Sequence, residues 1–268
     1  MNGMLPTWRG VVYPGDNYDK LSDYIKPIFV PPDTKNLVGA YYPAMLSKKG
    51  ALYNHWTKDN TLTAINKPFL FDTFARCSVE NCFDMNIKTG ANTVMFVIAR
   101  APALGAPTSE RGLAISDWVD APSPRGVAIE LRRADDRIRC FGYLSRDAGG
   151  GIIREDATGV ELLASTGADL DGFNIYILAW LNGAWGGVGV YNPDIKNFQI
   201  VNFANGTLAQ TGRNLRLGGH YPTTVPPAQF TGWQDVAGCL IYEGRTDNFY
   251  KPIGDYLYFD AMPQLGIR

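Results

Sequence analysis

The sequence predicts an all-β protein, an antiparallel β-sandwich that follows an irregular N-terminal arm. Glycine (29) and proline (17) are frequent among the 268 residues, and glycine has no fixed period, which indicates many turns. Apolar residues make up 46% of the chain and charged residues 19%, so a sizeable core can form. Short apolar runs alternate with Gly, Asn, Asp or Pro about every ten residues, a spacing typical of sandwiches and barrels.

The first 36 residues differ in composition from the rest of the chain. Five prolines interrupt them, and their aromatic residues follow neither the period of a strand nor that of a helix. Only residues 18–26 could form a helix before Pro27 disfavours its continuation. Because aromatic side chains on an irregular segment gain most by burial against another chain, we predict a docking arm. Its aromatic residues are Trp8, Tyr13, Tyr18, Tyr24 and Phe29.

The sandwich is predicted over residues 37–247, with about ten to twelve strands and no amphipathic helix. Strands are expected at 92–99, at 126–133 and 137–144 as a hairpin, and at 159–165, 173–181, 188–191, 197–203, 215–217 and 236–242. The dipeptide Asn182-Gly183 is the favoured two-residue hairpin turn. In 126–133 the residues alternate, and Ala128, Glu130 and Arg132 are predicted to face water. Residues 248–268 are predicted as a C-terminal tail.

Charge and cysteine content narrow the classes of function. The formal net charge of -1 provides no basic field for nucleic acid, and no apolar run approaches the length of a membrane helix. The N-terminus lacks the pattern of a secretory signal, so none is expected. The four cysteines are scattered and the chain has two histidines, so we expect no metal site and no cofactor. We predict buried free thiols, with a Cys77–Cys82 disulfide as the alternative.

Several segments together resemble the concanavalin A-like lectin/glucanase sandwich, particularly the laminin-G-like form found in bacteriophage tail and virion proteins. Their order and spacing carry the resemblance, which spans roughly residues 37–247. The segments are LVGAYYPA (37–44), NHWTKDNT (54–61), NTVMFVIARA (92–101), GFNIYILAWLNGAWGGVGVYN (172–192), LRLGGHY (215–221) and FTGWQDVAGCLIYEGRTD (230–247). The resemblance implies a jelly roll whose concave outer face and rim loops are free for ligands, and a location in a virion.

Catalytic patterns are missing from the sequence. The glucanase branch of the family carries a Glu-x-Asp-x-Glu strand, and this sequence does not. Asp169 and Asp171 come nearest, but they precede Gly172 at a predicted turn, so we interpret them as turn-forming residues, with calcium ligation as the alternative. No G-x-S-x-G is present, and His55 and His220 lie in predicted loops, where they are expected to form hydrogen bonds. We therefore predict no catalytic residue and a protein that is not an enzyme.

A binding function remains as the expectation. Sugars are recognised by aromatic rings that lie beside small polar side chains. Three groups near predicted loops combine these residue types, although each could instead be a set of rim aromatics that cover the core or contact a protein. The first group is Trp185, Tyr191, Asn192 and Asp194, the second is His220 and Tyr221, and the third is Trp56, Asp59 and Asn60. Trp233, just before the last strand, is expected in the core.

The leading functional hypothesis is a structural protein of a bacteriophage virion, in a tail fibre, baseplate or capsid surface. Its expected partners are other virion proteins, further copies of itself in a homo-oligomer, and a host surface glycan, with neither nucleic acid nor membrane insertion. The alternatives are a carbohydrate-binding adhesin and a glycan-degrading enzyme that would use Asp169 or Asp171. Its expected location is the virion, after synthesis in the host cytoplasm.

Overall fold

The structure is a computed structural model. It describes residues 30–43, 54–57, 59–119, 125–147, 151–181, 185–204, 206–221, 230–245, 247 and 249–268, without the side chains of 153–159 and 185. The arm residues Trp8, Tyr13, Tyr18, Tyr24 and Phe29, and the turn at Asn182-Gly183, lie outside these described residues.

The described residues form sixteen strands in two sheets, and every strand pairing is antiparallel, which confirms the predicted all-β sandwich. In chain order the strands are β1 (Leu37–Tyr41), β2 (Thr63–Ile65), β3 (Phe69–Leu70), β4 (Ala75–Cys77), β5 (Cys82–Lys88), β6 (Asn92–Arg100), β7 (Leu113–Ser116), β8 (Val127–Ala134), β9 (Arg137–Asp147), β10 (Ile152–Leu163), β11 (Phe173–Leu181), β12 (Trp185–Asn192), β13 (Asn197–Asn202), β14 (Thr207–Leu208), β15 (Asn214–Leu217) and β16 (Gln234–Glu243).

Each sheet contains eight strands. Sheet A has the order β13-β12-β11-β6-β16-β4-β3, with β1 also paired to β16, and sheet B has the order β10-β9-β8-β7-β15-β5-β2, with β14 paired to β9. The inner faces of the two sheets meet in one apolar core, to which β5 contributes Phe83, Met85 and Ile87 at alternate positions. This period of two is what places every second side chain of a strand on the same face.

The second face of β8 reaches water only at Arg132, whereas Ala128 and Glu130 are buried, contrary to the prediction. Glu130 is 0% exposed, and its carboxylate pairs with Arg111 at 2.6 Å and with Arg132 at 2.7 Å, while Tyr143 donates a hydrogen bond to it. A charge can be buried in this way because two cations and a hydroxyl replace the water that it loses. The alternation was right and Arg132 stays partly exposed, but Glu130 is buried by the groups that pair with it.

Residues 250–264, expected only as a tail, are helical and cover the outer face of sheet A. The helix begins as α1 (Tyr250–Tyr256), continues as a π-helical turn (Leu257–Ala261) and ends as α2 (Met262–Gln264). Its buried side chains pack on rings of the sheet such as Phe96 and Phe198. At Gly254 the helix approaches so closely that a Cβ atom would lie 2.6 Å from the ring of Tyr191. The outer face of sheet A is therefore closed, where the family resemblance had implied an open one.

The cysteines are free and buried, as predicted. Burial raises the pKa of the Cys82 thiol to about 11, so this thiol stays protonated at neutral pH. None of the helices in the described ranges combines the length and apolarity needed to cross a membrane.

Packing of the helix on sheet A should contribute strongly to stability. Ile253 is completely buried, so we expect Ile253→Ala to lower the free energy of unfolding by about 2–5 kcal/mol, measured by urea denaturation. The matched control is Ile195→Ala at an exposed position, which should change it by less than about 0.5 kcal/mol. Equal effects of the two substitutions would contradict the role assigned to the helix.

Candidate functional site

The first predicted group does not form a surface for stacking on a sugar. Tyr191 is only 1% exposed, because the helix that follows β16 lies over it and its hydroxyl donates a 2.5 Å hydrogen bond to Asp255. Asn192 is also buried, and its Oδ1 accepts a hydrogen bond from the backbone N–H of the exposed Asp194. Trp185 begins β12 opposite Leu181, but its side chain is not described. Tyr191 is therefore corrected from a candidate ligand contact to a residue beneath the helix, and Asn192 to a buried residue that fixes the following turn.

The second group lies on the other sheet, after β15. His220 is 2% exposed, and its ring nitrogens lie 2.7 Å from the carbonyl oxygen of Tyr221 and 3.1 Å from that of Phe230. The ring of Tyr221 is packed by the guanidinium groups of Arg216 and Arg213, at 3.7 and 4.6 Å from its centroid. His220 thus forms hydrogen bonds within a loop, the role expected for it as a histidine in a predicted loop. The structure does not bring the first and second groups together.

The third group is a turn that Asn54 organises. Its side-chain oxygen accepts from the backbone N–H of Ala40 and Trp56, each at 3.1 Å, and its amide donates to Thr57 and to the carbonyl oxygen of Asp59. Trp56 is half-exposed beside this turn. The hydrogen bonds fix the turn, and they make Trp56 a useful comparison for other exposed rings.

Asp169 and Asp171 have the geometry of turn-forming residues. The backbone N–H of Asp171 donates to Asp169 Oδ1 at 3.0 Å, and the Asp171 carboxylate lies 3.2 Å from Arg133 Nε. Across the described part of the chain, no group of three or more His, Cys, Asp or Glu side chains could hold a metal ion. Within the described residues, calcium ligation by Asp169 and Asp171 is therefore not supported.

Trp233, predicted in the core, is on the surface with 45% of its area exposed. The segment before β16 crosses the segment before β7, and the backbone N–H of Gly232 donates to the carbonyl oxygen of Arg111 at 3.1 Å. A Cβ atom at Gly232 would lie 2.0 Å from the backbone of Glu110. The two segments are therefore in contact here, and the indole is directed outward. The indole of Trp233 packs edge-on against the ring of Phe69 in β3, with 5.4 Å between the ring centroids.

A cleft of about 390 Å³ lies beside Trp233. It occupies the end of sheet A where β4, β16 and β6 run side by side. The residues that line it are Arg76, Arg100, Ala101, Pro102, Ala103, Glu110, Asp171, Trp233 and Asp235. Its volume falls in the range of small-molecule sites, and it combines an exposed aromatic ring with charged side chains.

The floor of the cleft is an Arg-Asp-Arg triad across three strands. Asp235 on β16 is in register with Arg76 on β4 and with Arg100 on β6. The carboxylate accepts from Arg76 Nε at 2.7 Å and Nη2 at 3.0 Å, and from Arg100 Nε at 3.0 Å and its Nη2. The hydrogen bonds to Asp235 raise the pKa of the Arg76 guanidinium, which stays charged. One carboxylate thus positions two guanidinium groups at the surface.

Aromatic rings support the two guanidinium groups from behind. The guanidinium carbon of Arg100 lies 4.9 Å from the centroid of Phe74 and 5.2 Å from that of Phe173, and the guanidinium carbon of Arg76 lies 5.6 Å from that of Phe71. Such contacts attract a cation to the ring face and restrict its motion. The donors of the cleft are therefore held in place before any ligand arrives.

Three charged residues in or next to apolar segments of the sequence could have indicated this site. Asp235 precedes the apolar run of β16, Arg76 lies within β4 and Arg100 ends β6, and β4 and β6 are the strands on either side of β16. Isolated charges beside apolar runs are expected to be paired when the strands are adjacent. Strand order was needed to see this, because the three residues are up to 159 positions apart.

No protein-family model matches the chain, and neither does any curated protein. Solved structures do match. A Trypanosoma rangeli sialidase in complex with sialic acid aligns with a TM-score of 0.53 at 12% identity, over 85% of this chain and 34% of its own. A mutant of that sialidase displaying trans-sialidase activity aligns with a TM-score of 0.54 at 12% identity, over 87% of this chain and 34% of its own. The binding domain of Paraclostridial Mosquitocidal Protein 1 aligns with a TM-score of 0.50 at 10% identity, over 80% of this chain and 50% of its own.

These likenesses agree with the fold, an antiparallel β-sandwich, and they correct one prediction. This chain spans about a third of the sialidase chains and half of the chain that contains the mosquitocidal binding domain. The prediction that the protein is not an enzyme is contradicted, because the fold is shared with a sialidase and with a variant that has trans-sialidase activity. At such low identity the fold assigns no reaction. None of the three structures supports the bacteriophage context.

The triad should stabilise this end of sheet A. Asp235→Ala leaves two guanidinium groups without their shared carboxylate, and we expect the free energy of unfolding to fall by about 1–2 kcal/mol, since both arginines remain partly hydrated. Asp194→Ala, at an exposed position outside the cleft, is the control and should stay within about 0.5 kcal/mol of the parent. The comparison is made by urea denaturation, and an unchanged Asp235→Ala would exclude a structural role for the triad.

Proposed function

We propose that this chain is a saccharide-binding domain and that the cleft beside Trp233 is its binding site. The observation that carries the proposal is the exposed indole of Trp233 next to the Arg76-Asp235-Arg100 triad. An aromatic ring stacks on the apolar face of a sugar, while carboxylate and guanidinium groups bond its hydroxyls. The close crossing at Gly232 holds the indole, so little order has to be gained on binding.

The solved structures agree with this proposal without assigning it. The sialidase structure holds sialic acid, and the mosquitocidal structure is described as a binding domain. Both share the sandwich architecture with this chain, and a glycan ligand is the proposal carried over from them. The binding residues are proposed from this chain's own cleft.

Removal of the indole should weaken binding. We expect Trp233→Ala to weaken the retention of the chain on its best ligand in a glycan array at least about tenfold, because the stacking contact is lost. Trp56→Ala is the matched control, since Trp56 is comparably exposed beside the Asn54 turn and outside the cleft. Thermal melting of both variants checks that the fold is retained.

Two results would reject the saccharide site. One is a parent chain that binds nothing on a broad array of neutral and acidic glycans. The other is equal loss of binding in Trp233→Ala and Trp56→Ala.

The setting in which the domain acts is a further part of the proposal. We propose a bacteriophage virion surface, where the arm joins the domain to other virion proteins or to further copies of the chain and the sandwich contacts a host glycan. The five aromatic residues among the first 29 support an arm that is buried against a neighbour.

Deletion of residues 1–29 separates the arm from the sandwich, because Asp33, which accepts from Tyr242 and pairs with Arg245, is kept. We expect the truncated chain to melt like the parent but to be absent from purified particles, measured by immunoblot. Incorporation at the parent level would refute the docking role of the arm, whereas it would leave the saccharide proposal intact.

A further inference from the structure

We infer that the cleft takes neutral, hydroxyl-rich saccharides and discriminates against acidic ones. This inference rests on the proposed function and names the class of ligand. It comes from the charges and hydrogen-bond donors of the cleft, which is rich in arginine and yet carries no excess of positive charge.

The charges of the cleft offset one another. The lining contains two cations, Arg76 and Arg100, and three anions, Glu110, Asp171 and Asp235, so its formal charge is 2 minus 3, or -1. Arg133, which is outside the lining, pairs with Asp171 and brings the sum to zero. Both lining cations are already bonded to Asp235. A negatively charged ligand therefore meets no unpaired cation in the lining.

Glu110 adds a repulsive element. Its side chain is exposed at the cleft, and within the described residues it forms no ion pair. A ligand carboxylate would meet guanidinium groups whose charge Asp235 already offsets, while it lies near Glu110 and Asp171. Like charges in a partly desolvated site repel each other, and such repulsion is a common source of specificity.

Hydroxyl groups fit the same surroundings. Each guanidinium uses Nε and Nη2 on Asp235, so the N–H groups of Nη1 in Arg76 and Arg100 remain to donate to a ligand. Glu110 can only accept. A sugar hydroxyl both donates and accepts, so neighbouring hydroxyls can bond an arginine and a carboxylate together, whereas a ligand carboxylate can bond only the arginine.

The size of the cleft limits the ligand. A volume of about 390 Å³ lies towards the lower end of the range for small-molecule sites. This favours a short saccharide or the end of a chain over a long stretch of polymer.

The test is a glycan array on the full chain in which each neutral glycan is paired with its sialylated or sulfated counterpart. We expect the neutral member of a pair to bind at least tenfold more tightly, and its binding to change less than twofold between 50 and 500 mM NaCl, since no net charge is neutralised. Glu110→Gln should raise binding of the acidic members at least threefold relative to that of their neutral partners, because the repelling charge is removed. Asp194→Asn, outside the cleft, is the control and should alter neither.

The outcomes separate this inference from the proposed function. Acidic glycans that bind as tightly as their neutral partners, or more tightly, and that depend on Trp233 would overturn the inference and leave the saccharide site standing. A Glu110→Gln variant whose binding of acidic glycans equals that of the parent would overturn it as well. A parent chain that binds neither class overturns both proposals.

Discussion

The apolar outer face of sheet A is the constraint on which the rest of the molecule depends. The central strands β6, β11 and β16 are buried on both faces, so the sheet needs a cover in addition to sheet B. The helix over residues 250–264 provides it and hides Tyr191. What it leaves open is the end of the sheet where charged residues replace apolar ones, and the cleft lies there.

Two arrangements of the same kind occur on opposite sheets, each with one carboxylate between two arginines. On sheet B, Glu130 lies between Arg111 and Arg132 and is closed from water, with Tyr143 as a further donor. On sheet A, Asp235 lies between arginines that remain 30–40% exposed. In the closed arrangement Glu130 is bonded by three donors, which is the condition for burying its charge. The open one has donors left for a ligand.

Much of the fold could be predicted from local sequence, and the site could not. The alternation in 126–133 and the long apolar runs at 92–99 and 173–181 mark strands because strand periodicity is local. Short strands such as β2 and β3 are too brief for a period to show. The segment that covers the outer face of these strands lies after them in the chain, and its position there depended on tertiary packing. Trp233 was misplaced for the same reason, since its exposure follows from the contact between Gly232 and Glu110.

The order of the elements along the chain has a consequence for biosynthesis. The helix that covers sheet A follows all sixteen strands, so while the chain is made, rings such as Phe96 and Tyr242 have no cover until residue 250 and beyond have left the ribosome. Chains that stop short of this helix would expose a broad apolar sheet surface, which favours aggregation and chaperone capture. We therefore expect the solubility of the chain to depend on completion of the polypeptide through this helix.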